Sequence, residues 1–210
     1  MQLIGMLDSP YVRRTAISLT LLDIPFEHRS LSVFSTFEQF KAINPVVKAP
    51  TLLCDDGSVL MDSSLILQWA EATHPQGRSL WPAPASLQAA FRAVGLALAA
   101  CEKSVQIVYE RNLRPPAAQH APWLTRVQGQ ALAAYAALEA QIDALPTLFE
   151  AMAHPAITAA VCWQFTQSML ADEISAGDHP QLSALSKRLE QHSVFRQFPP
   201  GGPGVQPATD

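Results

Sequence analysis

The segment between residues 44 and 66 constrains the fold of this chain more than any other part of its sequence. Two short apolar runs, residues 51–54 and 59–61, are joined by a turn that contains Asp-Asp-Gly. Glycine supplies the positive φ that a tight turn needs, so the pattern predicts a β-hairpin. The tripeptide Asp62-Ser63-Ser64 then predicts the first turn of a helix, because short polar side chains accept hydrogen bonds from the free N–H groups there.

Two places in this segment suggest a binding role in addition to the fold. Pro50 begins a strand, where its missing N–H costs a ladder bond unless the residue lies at the strand start or in a special turn. A cis peptide between Ala49 and Pro50 would turn the Ala49 backbone outward, to pair with an extended ligand like an added strand. Asp62 and Ser63 fit either a plain helix cap or a site for an amino-acid head group, with Asp62 facing the ammonium and Ser63 the carboxylate.

The flanking residues predict that the hairpin belongs to a small α/β unit, residues 1–76. Residues 3–7 read as a short apolar strand, a helix follows and ends near Asp23, and residues 26–31 read as a second strand. A weak helix precedes the hairpin. Because the hairpin is antiparallel to its partner, the sheet is expected to be mixed.

The rest of the chain predicts an all-helical C-terminal domain, residues 87–198. A linker rich in proline and glycine, residues 77–86, precedes it. Prolines suited to first helical turns follow at Pro122, Pro155 and Pro180. The final stretch, residues 199–210, lacks a core pattern and is predicted to be a loose tail.

Composition and charge exclude several classes of function. The chain has 210 residues, of which 49% are hydrophobic and 15% charged, as expected of a globular protein. Its net charge of −4 argues against a nucleic-acid partner. We find no leader pattern and no apolar segment long enough to span a bilayer, so we expect a cytoplasmic protein without a membrane partner. The 3 cysteines and 6 histidines lack ligand spacing, so no disulfide and no metal site are predicted.

Ser9 has two interpretations that use the same geometry. It fits the N-cap of the first helix, with Pro10 at the first helical position. A hydroxyl at a helix N-terminus also stabilises a bound anion such as a thiolate, with help from the helix dipole. The sequence around Ser9 contains no G-x-S-x-G pattern, so an acyl-enzyme nucleophile is disfavoured.

These three sites, in this order on an α/β unit followed by an all-helical domain, resemble the glutathione S-transferase superfamily. Ser9-Pro10-Tyr11-Val12-Arg13-Arg14 resembles its catalytic turn, residues 44–50 resemble its N-P-x-x-K-V-P segment with the cis-proline, and Asp62-Ser63 stands where the family has Glu-Ser or Asp-Ser. The resemblance implies a thioredoxin-like first domain. Arg111–Pro115 with Trp123 and Arg126 is similar to the bacterial serine-type members called YibF-like.

The resemblance implies that glutathione is the co-substrate. Ser9 would hydrogen-bond its sulfur, the Ala49 backbone beside Pro50 would pair with its cysteinyl residue, and Asp62 with Ser63 would hold its γ-glutamyl end. Lys48 and Arg13 would add positive potential or be solvated surface charges. The activated thiolate would attack a small apolar electrophile or reduce a hydroperoxide, and the family's usual state is a homodimer.

The sequence leaves two questions open. The fold also serves as a non-catalytic ligand-binding or protein-interaction scaffold. The aromatic residues Tyr11, Tyr109 and Trp163 either line a second-substrate pocket or belong to the core. No cysteine stands near Ser9, which disfavours a cysteine-dependent reductase.

Overall fold

The computed structural model describes residues 1–202, which form two compact units. The first unit contains residues 1–80 and returns at the end of the described chain with residues 192–202. The second contains residues 81–191. Most of the predicted tail, residues 203–210, lies outside the described residues.

The first unit is an α/β domain whose sheet is mixed. Its elements in chain order are β1 (Gln2–Ile4), α1 (Pro10–Leu21), β2 (Glu27–Arg29), α2 (Phe37–Ile43), β3 (Thr51–Leu53), β4 (Val59–Met61) and α3 (Ser63–Ala72). The strand order is β2-β1-β3-β4. β1 is parallel to β2 and antiparallel to β3, and β3 is antiparallel to β4. The predicted thioredoxin-like fold is therefore confirmed, although β2 is shorter than the sequence suggested.

The register of the three strands on the hairpin side determines where their loops lie. Ile4 at the end of β1 pairs with Thr51 at the start of β3, and Thr51 pairs in turn with Met61 at the end of β4. The loop after β1, the loop before β3 and the turn after β4 consequently meet at one end of the sheet. Leu3, Ile4 and Leu52 are fully buried in this sheet and hold the register.

The second unit is helical, as predicted. It contains α4 (Leu87–Leu113), α5 (Ala121–Ala144), α6 (His154–Leu170) and α7 (Pro180–Glu190). The last three helices begin within one residue of the prolines at 122, 155 and 180, because proline's fixed φ suits a first turn and its missing N–H is not needed there. α4 packs on α5 and α6, and α7 packs on α6 and α5.

A chain of buried hydroxyl groups connects three of these helices. The Tyr135 hydroxyl lies 2.6 Å from the Thr166 hydroxyl, which donates to Ser104 at 2.9 Å. Ser104 then donates to the Ala100 carbonyl at 3.0 Å. Burial raises the pKa of the Tyr135 hydroxyl well above its usual range, so this side chain stays neutral. Trp163 packs edge-on against Tyr135 with ring centroids 5.1 Å apart, which assigns Trp163 to the core.

One expectation from the sequence is wrong. Residues 84–113 of the described chain are long and apolar enough, by composition alone, to cross a membrane. The apolar character comes from alanines distributed along the helix and not from one unbroken run, so it is not apparent as a single apolar segment of the sequence. Ala90, Ala97 and Cys101 in this helix are buried, and α5 and α6 pack against it.

The C-terminal helix α8 (Ser193–Gln197) belongs to the first unit, whereas the sequence placed residues up to 198 in the helical domain. The cause is Arg13 of α1, which is buried. Its Nε donates to the Phe198 carbonyl at 2.7 Å, and its guanidinium carbon lies 5.3 Å from the centre of the Phe195 ring. Phe198 also stacks on Phe26, with ring centroids 5.9 Å apart.

We expect Arg13→Met to reduce the free energy of unfolding by about 2 kcal/mol or more, since it removes charged hydrogen bonds to buried carbonyl groups. Arg78→Met is the matched control, because Arg78 forms a surface ion pair with Asp23. The control is expected to change stability by about 0.5 kcal/mol or less. Urea unfolding of both variants measures the difference, and equal effects would contradict a structural role for Arg13.

Candidate functional site

The first part of the candidate site is the N-terminus of α1. Ser9 has extended φ and ψ angles of −73° and 119°, and its hydroxyl accepts a hydrogen bond from Val12 N–H at 3.4 Å. Pro10 occupies the first helical position. Ser9 is therefore an N-cap, as one interpretation predicted. Because the hydroxyl accepts this bond, its own hydrogen is available to donate to a ligand, so the cap and the binding role are compatible.

The second part is the loop before β3, where the peptide between Ala49 and Pro50 is cis. The sequence-based hypothesis of a cis peptide is confirmed. Within residues 1–202, no hydrogen bond involves the N–H or the C=O of Ala49. Both groups are therefore available to an extended ligand.

The buried side chain of Asn44 fixes this loop. Its amide nitrogen donates to the Thr51 hydroxyl at 2.8 Å, and its amide oxygen accepts from Val46 N–H at 3.0 Å. Thr51 in turn donates to the Lys48 carbonyl at 2.7 Å. From the sequence, Asn44 was recognised only as part of the segment 44–50, because a side-chain bond between an asparagine and a threonine seven residues later has no sequence pattern of its own.

The third part is the N-terminus of α3. Asp62 has a φ of 72°, and one of its carboxylate oxygens accepts from Ser64 N–H at 2.9 Å. The other carboxylate oxygen lies 3.7 Å from the Lys48 ammonium, in an ion pair whose side chains are 44% and 52% exposed. An exposed pair of this kind adds little stability, so both charges are available to a ligand at small cost. Ser63 is buried apart from 4% of its surface.

Arg14 is a residue that sequence reasoning missed. Only 2% of its surface is exposed. Its Nη1 donates to the hydroxyl groups of both Ser63 and Ser64 at 3.1 Å, which connects α1 to the start of α3. The only signal in the sequence was a pair of charged residues, Arg13 and Arg14, inside a helix whose other residues are uncharged.

These parts lie together at one end of the sheet. The register of β1, β3 and β4 brings Ser9, Ala49 and Ser63 to that end, across two strand spacings that amount to about 10 Å. Gly5 makes the close approach possible: a β-carbon there would lie 3.2 Å from the Ala49 β-carbon and 2.5 Å from a Val12 methyl group. The result is a row of polar groups: the Ser9 hydroxyl, the peptide groups of Ala49, and the Asp62 carboxylate beside the Ser63 hydroxyl.

Other residues considered from the sequence lie elsewhere. The Arg13 guanidinium bonds to the backbone of the C-terminal segment and the side chain is buried, so the alternative that Arg13 is a solvated surface charge is wrong, whereas its contribution of positive potential stays a prediction. Trp163 is 2% exposed and belongs to the core of the helical unit. Within residues 1–202, no group of three or more His, Cys, Asp or Glu side chains is placed to hold a metal ion.

A mixed four-stranded sheet of this topology, joined to a helical unit, is the fold of the glutathione transferases, and comparisons with known proteins agree. Residues 3–78 match the family model for the glutathione S-transferase N-terminal domain. A glutathione S-transferase from Methylobacterium radiotolerans, solved with glutathione sulfonate, is 30% identical, with a TM-score of 0.81 over 100% of this chain and 96% of that chain. The chain belongs to the glutathione S-transferase superfamily.

Two further relatives have more specific names. A glutathione transferase family member from Pseudomonas fluorescens, solved with S-(propanoic acid)-glutathione, is 26% identical, with a TM-score of 0.80 over 97% of this chain and 98% of that chain. A probable maleylacetoacetate isomerase from Caenorhabditis elegans is 33% identical over 88 residues. This match spans 41% of the chain and only 40% of the length of that curated relative.

The capping role of Asp62 is tested by two substitutions at the same position. Asp62→Ala is expected to reduce the free energy of unfolding by about 1 kcal/mol, because it removes the N-cap of α3. Asp62→Asn keeps a cap and tolerates the positive φ, so its stability is expected to stay within about 0.5 kcal/mol of the wild type. Urea unfolding distinguishes them, and an alanine variant as stable as the asparagine variant would contradict the capping role.

Proposed function

We propose that the first unit binds glutathione in an extended conformation along the row formed by Ser9, Ala49 and Ser63, and that the chain is a glutathione transferase. The observation that carries the proposal is the strand register, which aligns three groups suited to the thiol, the cysteinyl backbone and the γ-glutamyl end of one tripeptide. Relatives that cover nearly the whole chain were solved with glutathione derivatives, which supports the choice of ligand.

The sulfur of glutathione lies against Ser9 in this proposal. A free thiol has a pKa of about 8.5, so lowering it by one to two units makes the thiolate abundant near neutral pH. The Ser9 hydroxyl donates a hydrogen bond to the sulfur, and this bond favours the charged form. The positive end of the α1 dipole acts in the same direction.

The rest of the tripeptide is held by backbone and charge. The cysteinyl residue pairs with the N–H and C=O of Ala49, as an added strand would, and Pro50 completes this loop. The γ-glutamyl ammonium faces the Asp62 carboxylate, while its carboxylate accepts from the Ser63 hydroxyl and the first N–H groups of α3. Lys48 lies beside Asp62 and contributes positive charge near the bound anion.

The bound thiolate attacks a small apolar electrophile. A sulfur–carbon bond forms, the leaving group departs with the electron pair, and proximity to the fixed thiolate supplies much of the rate. With a hydroperoxide, the thiolate attacks the terminal oxygen, the O–O bond breaks and the alcohol leaves, and a second glutathione displaces water from the resulting sulfenic acid to form a disulfide. The partial similarity to a probable maleylacetoacetate isomerase adds isomerisation as a second candidate reaction, which would consume no glutathione.

The proposal also implies a location, an oligomeric state and a set of partners for the protein. We expect a cytoplasmic homodimer of the serine-type, YibF-like group, without a metal and without a nucleic-acid or membrane partner. Val46 and Leu65 on the first unit are 62% and 59% exposed and supply apolar surface for a second copy. Sedimentation at micromolar concentration tests this expectation, and a monomer mass would contradict it.

The substitution Ser9→Ala tests the proposed chemistry. We expect this variant to retain glutathione but to raise the pKa of the bound thiol by about one unit, and to lower kcat/KM about tenfold or more. Titration of the thiolate ultraviolet absorbance and turnover with halogenated aromatics, epoxides and hydroperoxides measure both effects. Ser9→Thr is the matched control, because it keeps the hydroxyl group.

Each result excludes one interpretation. A wild type that does not bind glutathione would refute the proposal as a whole. Binding with an unchanged thiolate and unchanged turnover in Ser9→Ala would limit Ser9 to the capping role. Binding without turnover of any electrophile would favour the alternative of a non-catalytic binding module.

The γ-glutamyl contact is tested by Asp62→Asn, which keeps the helix cap and removes the charge. We expect this variant to bind glutathione about tenfold more weakly, because the ammonium loses its carboxylate partner. Isothermal titration measures the affinity. Glu27→Gln serves as the control, since its carboxylate lies at the exposed side of β2 and accepts from Gln2. An unchanged affinity in Asp62→Asn would place the γ-glutamyl end elsewhere.

A further inference from the structure

Two consecutive arginines of α1 are buried, and they point to different partners. Arg13 bonds to the backbone carbonyls of Phe195 and Phe198. Arg14 instead bonds to side chains: one nitrogen, Nη1, donates to the hydroxyl groups of Ser63 and Ser64, each at 3.1 Å. Arg14 therefore places a buried positive charge directly behind the N-terminus of α3.

The bond from Arg14 fixes what the Ser63 hydroxyl can do. A hydroxyl has one hydrogen to donate and two lone pairs to accept with. Because Ser63 accepts from the guanidinium, its own hydrogen is directed to another partner. A hydroxyl polarised by a cation in a buried environment is also a stronger donor, since hydrogen bonds in a chain strengthen one another.

We propose that Arg14 is a positioning residue for the α-carboxylate of the γ-glutamyl group, acting through Ser63. This inference rests on the proposed function, since it assigns the part of glutathione that the site selects. Arg14 orients the Ser63 hydroxyl as a donor and adds positive charge behind it. The site thereby prefers thiols that carry a free carboxylate at this position over thiols in which that group is neutral.

The competing explanation is that Arg14 only connects α1 to α3. Both serines accept a bond of the same length, so such a link would depend on the two equally. Only Ser63 belongs to the proposed row, and Ser64 uses its N–H to complete the cap with Asp62. Ser64→Ala therefore removes one Arg14 bond without touching the ligand and is the matched control.

The test uses two ligands, glutathione and glutathione amidated at the γ-glutamyl α-carboxylate. Isothermal titration gives the affinity of the full-length protein for both, and the ratio of the two affinities is the preference. Arg14→Met removes the charge and keeps the length of the side chain. Arg14→Gln replaces it if the methionine variant does not fold, because it keeps a donor for the buried serines. Arg14→Lys restores the charge.

We expect Arg14→Met or Arg14→Gln to lower the preference about tenfold or more, chiefly through weaker binding of glutathione, while the amide binds as before. Arg14→Lys is expected to recover part of the preference, and Ser64→Ala to leave it unchanged. The proposal is overturned if both ligands weaken by the same factor, or if Ser64→Ala lowers the preference as much as the loss of Arg14. If the wild type binds glutathione and the Arg14 variants keep its preference, only this inference is refuted. If the wild type does not bind glutathione, the proposed function is refuted as well.

Discussion

The pairing of β3 with both β1 and β4 is the constraint on which the rest of the first unit depends. Each strand has three residues, and the register joins Ile4, Thr51 and Met61 in one row across the sheet. A shift by one residue would turn the buried Leu3 and Leu52 to the opposite face, so the register is firmly held. The same row determines which loops meet, and the candidate site is the set of loops that it brings together.

The site also shows how local requirements of the fold supply groups for binding. Ser9 and Asp62 each cap a helix through one lone pair, and each has a further hydrogen or oxygen that faces away from the cap. The Asn44 side chain holds the loop before β3 through its hydrogen bonds to Thr51 and Val46. The peptide groups of Ala49 are therefore not needed to hold that loop. Capping and loop stabilisation thus leave polar groups in place, at the positions where an extended peptide would use them.

Much of this arrangement was predictable from the sequence because it depends on local patterns. The Asp-Asp-Gly turn, the caps at Ser9 and Asp62 and the prolines at the starts of α5, α6 and α7 are all short-range signals. The roles of Asn44, Arg13 and Arg14 were not predictable, since each depends on a partner that only the folded chain brings near. Arg13 shows the same limit: its sequence also allowed a solvated surface charge, whereas the side chain is buried and its partners are carbonyls 182 and 185 residues away.

The return of residues 192–202 to the first unit determines when this unit can finish folding during synthesis. The β-sheet can form as soon as the first eighty residues have left the ribosome, but its last helix is made only after the whole helical unit. Until then the guanidinium of Arg13 has no Phe195 or Phe198 carbonyl to bond, and a charge that is buried in the finished protein remains in contact with water. The nascent first unit is therefore less stable than the complete one, and its folding is finished only after residues 192–202 have been made.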